Sequence, residues 1–420
     1  MVSNAFKKAY LCQLKKFPES KPDFPSEVLN KHQDLFDLIN KKIDKVSEFV
    51  QFNFKDEVFQ GIDAMGYDKP TPIQIQAIPA IMEGKDVLGC AQTGTGKTAA
   101  FLLPILNRLC EKNVNGKKIY TMIIVPTREL ALQIDQQLEG FGYFMNLSFI
   151  SVYGGGDSST WEQQKTALVM GAEIVIATPG RLLSHLALGY VDLSHLEFLI
   201  LDEADRMLDM GFYDDIMTII KLLPKKRQTL LFSATMPPRM RTLAKSILNH
   251  PVQIDIAASK PADGAIQGVY MLEEQEKLNK IVELFSKDDA SRAIIFASSK
   301  IRVKEINSAL KKLKLSVAAI HSDLDQKERE QVMRDFKNMK LQILVATDII
   351  SRGIDVEDLD LIINYDVPRD PEDYIHRIGR TARAEKSGVA LTFVNRKDAP
   401  NLKKIERFLG NTIFKIPAGS

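Results

Sequence analysis

The sequence predicts an α/β protein of two tandem units, each a mostly parallel sheet with helices on both faces, joined by a short linker. Three observations carry this. From about Lys85 onward, short apolar runs alternate with longer segments of helical period. Runs of that kind fit strands buried on both faces, and the alternation indicates parallel βαβ units. The pattern breaks at "IAASKPADGA" (256–265), where small residues and a proline read as a linker, and then resumes.

In chain order, residues 1–48 are mixed and polar, with an amphipathic helix expected in "EVLNKHQDLFDLINKKIDKVSEFV" and no chemistry assigned to it. The first unit, 49–255, takes its strands from "DVLGCA", "TMIIVPT", "LSFISVY", "AEIVIATP", "LEFLILDEAD" and "QTLLFSAT". The second, 266–412, takes them from "RAIIFASS", "SVAAIHSD", "QILVATDII", "LDLIINYDVP" and "GVALTFV", with 413–420 as a tail.

Composition bounds the function. Of 420 residues, 45% are hydrophobic and 26% charged, as in a globular protein of two or three domains. Net charge is only +2, so a polyanion must be met by a local patch rather than a global field. Three cysteines, Cys12, Cys90 and Cys110, lack metal-ligand pairing and are odd in number. A disulfide framework is therefore not expected, which favours a reducing compartment. No apolar run approaches a bilayer span and no signal peptide is evident, so no membrane is expected as partner; cytoplasm is the default, with the nucleus as the alternative.

"AQTGTGKT" (91–98) follows a predicted strand and opens a predicted helix, the context a phosphate-binding P-loop requires. Gly94 and Gly96 let successive N–H groups turn toward phosphate oxygens, with Ala91, Gln92, Thr93 and Thr95 completing the cradle. Lys97 is expected on the β/γ-phosphates and Thr98 on Mg²⁺. Ala91 stands where the strict pattern has glycine. "LILDEAD" (199–205) is an apolar strand ending in carboxylates. Ligands of open parallel sheets lie beyond the strands' carboxyl ends. Asp202 is thus expected to hold Mg²⁺, partly through water, and Glu203 to orient or deprotonate an attacking water. Elsewhere such a D-E pair is often a helix N-cap; the preceding P-loop favours the nucleotide reading.

"HRIGRTAR" (376–383) spaces Arg377, Arg380 and Arg383 three apart, which predicts one shared helical face. Alone this is a solvated basic patch. Beside a phosphate loop that has no cation on its far side, it reads as the second half of a split ATP site, supplying arginine fingers.

In this order, "AQTGTGKT", "DEAD", "SAT" (233–235) and "HRIGRTAR" resemble the DEAD-box ATP-dependent RNA helicases of superfamily 2, over roughly residues 49–410. "GYDKPTPIQ" (66–74), "PTREL" (126–130), "GG" (154–155), "TPGR" (178–181) and "ATDIISRGID" (346–355) agree, and the texture looks most like the RhlE-type bacterial branch. The resemblance implies two RecA-like domains, an ATP-binding one followed by a helicase C-terminal one. It implies that ATP and Mg²⁺ are used and that RNA, single-stranded or in short duplexes, is gripped without base reading and locally unwound by a monomer.

Residue by residue, the resemblance implies Gln74 on the adenine edge, Tyr67 stacked on the base and Phe49 supporting it, although for Phe49 plain core packing is the stronger expectation. Asp355 would contact the ribose, and Gln326 and Arg329 would couple the second domain to the nucleotide. RNA contacts are implied at Pro126, Thr127, Arg128, Gly154, Gly155, Thr178, Pro179, Gly180, Arg181, Thr347 and Gly353. Coupling is implied at Ser233, Ala234 and Thr235, and at His376 and Arg377, which would reach the DEAD and SAT segments across the cleft. Arg380 and Arg383 match the finger positions.

The chain departs from the pattern at Ala384, where several relatives place an aromatic over adenine, and at Ser322 and Ala382, where glycine is common. An ATP-gated RNA clamp and a DNA-directed helicase would carry similar motifs; comparing duplex unwinding with RNA residence time separates the first, and competition between RNA and DNA strands the second. Few aromatics, 8% of residues, argue for gripping the backbone rather than stacking bases.

Overall fold

The computed structural model describes residues 48–92, 94–112, 114, 118–155, 158–256, 265–287, 292–347, 359–379, 381 and 388–417, without the side chains of Gln326, Glu372 and His376. Seven strands form the first sheet: β1 (Val87–Cys90), β2 (Thr121–Ile124), β3 (Phe149–Val152), β4 (Ile174–Ala177), β5 (Phe198–Leu201), β6 (Gln228–Ser233) and β7 (Val252–Asp255). Seven form the second: β8 (Ala265–Met271), β9 (Ala293–Ala297), β10 (Val317–Ile320), β11 (Ile343–Thr347), β12 (Leu361–Asn364), β13 (Gly388–Val394) and β14 (Phe414–Ile416).

The strand orders are β3-β4-β2-β5-β6-β1-β7 and β10-β11-β9-β12-β13-β8-β14. Strand for strand these are the same order, and every pairing in both sheets is parallel. The chain is therefore a structural repeat. All eleven apolar runs read from the sequence form strands. Two boundaries shift, however. Ala265, assigned to the linker, is the first residue of β8, and 414–416, assigned to the tail, pairs with β8 as the edge strand.

Central strands β2, β4 and β5 are fully buried, because helices cover both faces. One face of the first sheet packs Phe101, Phe141 and Phe232; the other packs Leu199, Met207 and Ile216. At about 1.5–3 kcal/mol per fully buried large side chain, these layers fix the sheet and leave its strand ends free to vary.

Helix starts are set by local chemistry at those ends. Thr127 caps the helix Arg128–Phe141 by accepting from Leu130 N at 3.3 Å. Asp325 and Glu328 form a reciprocal capping box at the helix Gln326–Lys337. Proline in the first turn starts the helices Pro72–Met82, Pro179–Leu186 and Pro371–Ile378, where its missing N–H is not needed.

Candidate functional site

The strand order sorts the first-domain motifs into two groups. Adjacent strands β5, β6 and β1 end in "DEAD", "SAT" and "AQTGTGKT"; adjacent strands β3, β4 and β2 end in "GG", "TPGR" and "PTREL". Since β2 and β5 are neighbours, one sheet edge carries a phosphate-type site beside a second row of loops. This follows from topology alone, because the motifs alternate irregularly along the chain.

In the first group, Gly94 and Gly96 take φ of 80° and 85°, which only glycine adopts without strain. Lys97, 6% exposed, begins the helix Lys97–Lys112 and donates to Ala91 O at 2.6 Å. Its ammonium thus lies folded over the loop. Thr95 Oγ1 donates to Gln92 O at 2.7 Å, further tightening the loop. Thr98 follows Lys97 in the helix's first turn and is half-buried. Thr93 lies outside the described residues.

Gln74 is fully buried and already bonded on both sides of its amide. Its Oε1 accepts from Thr71 N at 2.8 Å and its Nε2 donates to Gly96 O at 3.0 Å. The residue implied on the adenine edge therefore also ties its helix to the phosphate loop. Phe49 has no exposed surface and packs against Phe52 and Tyr67, with ring centroids 5.9 and 6.4 Å away, so it is a core residue. Tyr67 in turn meets Phe141 edge-on at 5.2 Å.

Asp202 is 2% exposed and its carboxyl is pushed up to about 7, first by burial and further by Glu203, against the pull of Lys97. A buried oxygen donor that resists ionisation without a counter-charge fits a hard divalent cation. Among the described residues there is no group of three or more His, Cys, Asp or Glu side chains arranged to hold a metal.

Glu203 has φ 49° and ψ 47°, a left-handed conformation that is strained for any residue with a Cβ. Its Oε2 accepts from Arg206 Nη1 at 3.1 Å, and both side chains are largely buried. Asp205, the last residue of "DEAD", accepts from Thr235 N at 2.9 Å and from Thr235 Oγ1 at 2.8 Å. Ser233 Oγ donates to Thr235 O at 2.6 Å, and Ala234 O accepts from Cys90 Sγ at 3.6 Å. The SAT segment is thus wired to "DEAD" and to the strand that leads into the phosphate loop. Asp205 and Arg206 were not singled out from sequence, although both stand inside or beside the quoted motif. Cys90 and Cys110 are free thiols.

In the second group, the Arg128 guanidinium lies 4.3 Å from the Tyr153 ring centroid and pairs with Glu330, on the second domain's helix Gln326–Lys337. Glu330 gave no sequence signal. Gly155 has φ 85°, and a Cβ there would stand 3.9 Å from Arg128 Nη1. Gly154 and Gly180 are exposed and open, whereas Pro126 and Pro179 are buried supports. Thr178 is the N-cap residue of the helix Pro179–Leu186. Arg181, in that helix, donates from Nε to Gln164 Oε1 at 2.7 Å and lies 4.3 Å from the Trp161 ring centroid.

In the second domain, the helix Pro371–Ile378 carries Arg377. Arg377 is 5% exposed and turned into its own domain, where Nη1 donates to Asn364 Oδ1 at 2.8 Å and the guanidinium stands 5.0 Å from the Phe296 ring centroid. These contacts lie within the second domain. That helix has Gly379 as its C-cap. Arg329 donates to Ser322 O at 3.3 Å, and Thr347 closes β11. Arg380, Arg383, Gly353 and Asp355 lie outside the described residues, as do the side chains of His376 and Gln326.

Comparison with known proteins matches this arrangement. Residues 71–243 fit the family model described as DEAD/DEAH box helicase, and residues 276–385 fit the helicase conserved C-terminal domain. The chain is 42% identical, over 86% of its length, to the ATP-dependent RNA helicase CshA of Listeria monocytogenes, and covers 68% of that protein. It is 40% identical, again over 86%, to the DEAD-box ATP-dependent RNA helicase CshA of Geobacillus kaustophilus, covering 76%. The fold is similar to that of S. cerevisiae Dbp5 bound to RNA and ADP BeF3, with a TM-score of 0.78, 29% identity, and coverage of 89% of this chain and 96% of that one.

Proposed function

The chain belongs to the DEAD/DEAH box helicase family, and from that premise we propose that it is an RNA-dependent ATPase that grips RNA by its backbone and locally unwinds short duplexes. One observation carries the reading: a single sheet edge places the phosphate loop, Asp202 and Glu203 beside loops rich in backbone amides, hydroxyls and arginine. Such groups suit phosphate and 2′-OH contacts, which hold a strand without reading its bases.

In this reading Lys97 swings from Ala91 O to the β/γ-phosphates, Thr98 and Asp202 hold Mg²⁺, and Glu203 orients the attacking water. When bound there, the ion would supply charge neutralisation to the terminal phosphates. Gln74 carries the adenine contact beside its tether to Gly96, with Tyr67 against the base. Asp355, Gln326 and Arg329 serve the nucleotide from the second domain, and Arg380 and Arg383 supply the fingers. The row from Pro126–Arg128 through Gly154–Gly155 and Thr178–Arg181 to Thr347 and Gly353 is the RNA track. Thr235, bonded to Asp205, relays nucleotide state to it together with its neighbours Ser233 and Ala234, and His376 serves the same coupling from the second domain. The reading includes a monomer acting in the cytoplasm.

ATP hydrolysis measured with and without generic single-stranded RNA, alongside separation of a short RNA duplex, tests this. Hydrolysis stimulated by RNA together with ATP-dependent strand separation is expected. Hydrolysis indifferent to RNA would overturn it.

A further inference from the structure

The only tryptophan of the chain, Trp161, lies on the helix that follows the Gly154–Gly155 loop rather than in a core. Trp161, on the helix Ser158–Met170, stacks on the His185 ring with centroids 4.0 Å apart and planes 14° from parallel. The same indole stands 4.3 Å from the Arg181 guanidinium. Arg181 and His185 are four apart on one helix, so a single ring covers both. Gln164, one turn along from Trp161 and 2% exposed, accepts from Arg181 Nε at 2.7 Å. Its amide nitrogen donates to Ser151 O at 3.4 Å and to Tyr153 O at 3.2 Å, on the segment that leads into Gly154–Gly155. Arg181 Nη2 is covered and has no protein acceptor.

We propose that Trp161 and Gln164 are positioning residues that set the Arg181 guanidinium for a phosphodiester oxygen of bound RNA and lock it to the Gly154–Gly155 loop. The inference rests on the RNA-face reading given above. A free arginine explores many rotamers and must surrender that freedom on binding. A guanidinium laid on an aromatic ring and bonded through Nε has surrendered it beforehand, and its flat fork then meets phosphate in one orientation. Arg181 stays half-buried in this arrangement, so part of its charged fork remains open to an incoming anionic oxygen. A purely structural role for Trp161, packing one helix on another, would affect folding without affecting RNA.

The test uses the full chain, a fluorescently labelled single-stranded RNA oligonucleotide and a non-hydrolysable ATP analogue. Trp161→Leu is expected to weaken RNA binding about 5- to 20-fold, and Trp161→Phe, which keeps a ring, by no more than about 2-fold. Trp161→Leu combined with Arg181→Ala should bind no more weakly than Arg181→Ala alone, because both act through one group. In RNA-stimulated hydrolysis, Trp161→Leu raises the KM for RNA and keeps kcat at saturating RNA. Additive losses in the double variant would overturn the proposal, as would wild-type affinity in Trp161→Leu where Arg181→Ala binds weakly. Wild-type affinity in Arg181→Ala itself would remove this loop from the RNA track and the proposal with it. Intrinsic fluorescence needs no substitution: the lone indole should change its emission when RNA and nucleotide bind, and an unchanged spectrum counts against the assignment.

Discussion

Gln74 donates its side-chain amide to the carbonyl of Gly96 at 3.0 Å while accepting from Thr71 N at 2.8 Å. One fully buried residue therefore closes a capping box and braces the phosphate loop. Two substitutions separate these roles. Gln74→Glu keeps an acceptor for Thr71 but sets a carboxylate against Gly96 O. It should retain most of the cap, worth about 1 kcal/mol, while weakening ATP binding at least 10-fold. Gln74→Ala should lose both and unfold about 1–3 kcal/mol more easily. Urea titration and nucleotide titration measured on both variants distinguish them. Equal stability losses would mean that the cap is not independent of the loop tether.

Gly96 tests the same contact from the other side. Its φ of 85° disfavours any Cβ, and a Cβ there would stand 2.4 Å from Gln74 Nε2. Gly96→Ala is expected to displace the Gln74 amide and destabilise the chain by about 1–3 kcal/mol. ATP affinity should fall with it. Wild-type affinity in a folded Gly96→Ala would show that the loop does not depend on this geometry.

Glu203 is aimed by its own strained backbone and held by Arg206 at 3.1 Å. Glu203→Gln keeps size and a hydrogen-bonding oxygen for Arg206 but removes the base. RNA-stimulated hydrolysis should drop about 10²–10⁴-fold, with ATP-dependent RNA binding preserved. Normal turnover in that variant would assign the base elsewhere.

Legibility from sequence followed burial. Strands buried on both faces leave continuous apolar runs, and all eleven such runs form strands. The strands missed, β7, β8 and β14, are broken by polar residues or glycine: "VQID", "AIQGVYM" and "FKI". Two of them are sheet edges, where only part of each strand packs. The phosphate loop was legible because backbone geometry demands particular residues at fixed spacing. Arg377 and Trp161 were not, because sequence spacing does not say which way a side chain turns. Arg377 points into its own domain toward Asn364, and Trp161 meets Arg181 from a helix 20 residues upstream (181 − 161).

His185 gives a pH signature. It is fully buried against Trp161, Tyr190 and Gln164, and its pKa is pushed down to about 4 from 6.5, first by burial and then by the Arg181 charge. The folded state holds it neutral while the unfolded chain protonates near 6.5. Its contribution is therefore complete above about pH 6.5 and is lost progressively as pH falls toward 4. Between neutral pH and pH 5 the loss should be about 1–2 kcal/mol. Urea midpoints at those two pH values, in wild type and in His185→Gln, measure it. The variant should lose less on acidification, and an equal loss in both would place the titrating group elsewhere.

The arginines of "HRIGRTAR" should divide by role. Arg377, 5% exposed and bonded to Asn364 at 2.8 Å, holds the end of β12. Arg377→Ala leaves a buried amide without its charged partner and should destabilise the chain by about 2–4 kcal/mol, with ATP hydrolysis falling only as folded protein is lost. Arg380 is the proposed finger, with work to do only in the transition state. Arg380→Ala should keep the urea midpoint and the ATP dissociation constant near wild type while single-turnover hydrolysis falls about 10³-fold or more. Two variants three residues apart thus report opposite quantities, one stability and the other chemistry. Equal losses of ATP affinity and hydrolysis in Arg380→Ala would make that residue a ground-state phosphate ligand and leave the split-site reading without its finger.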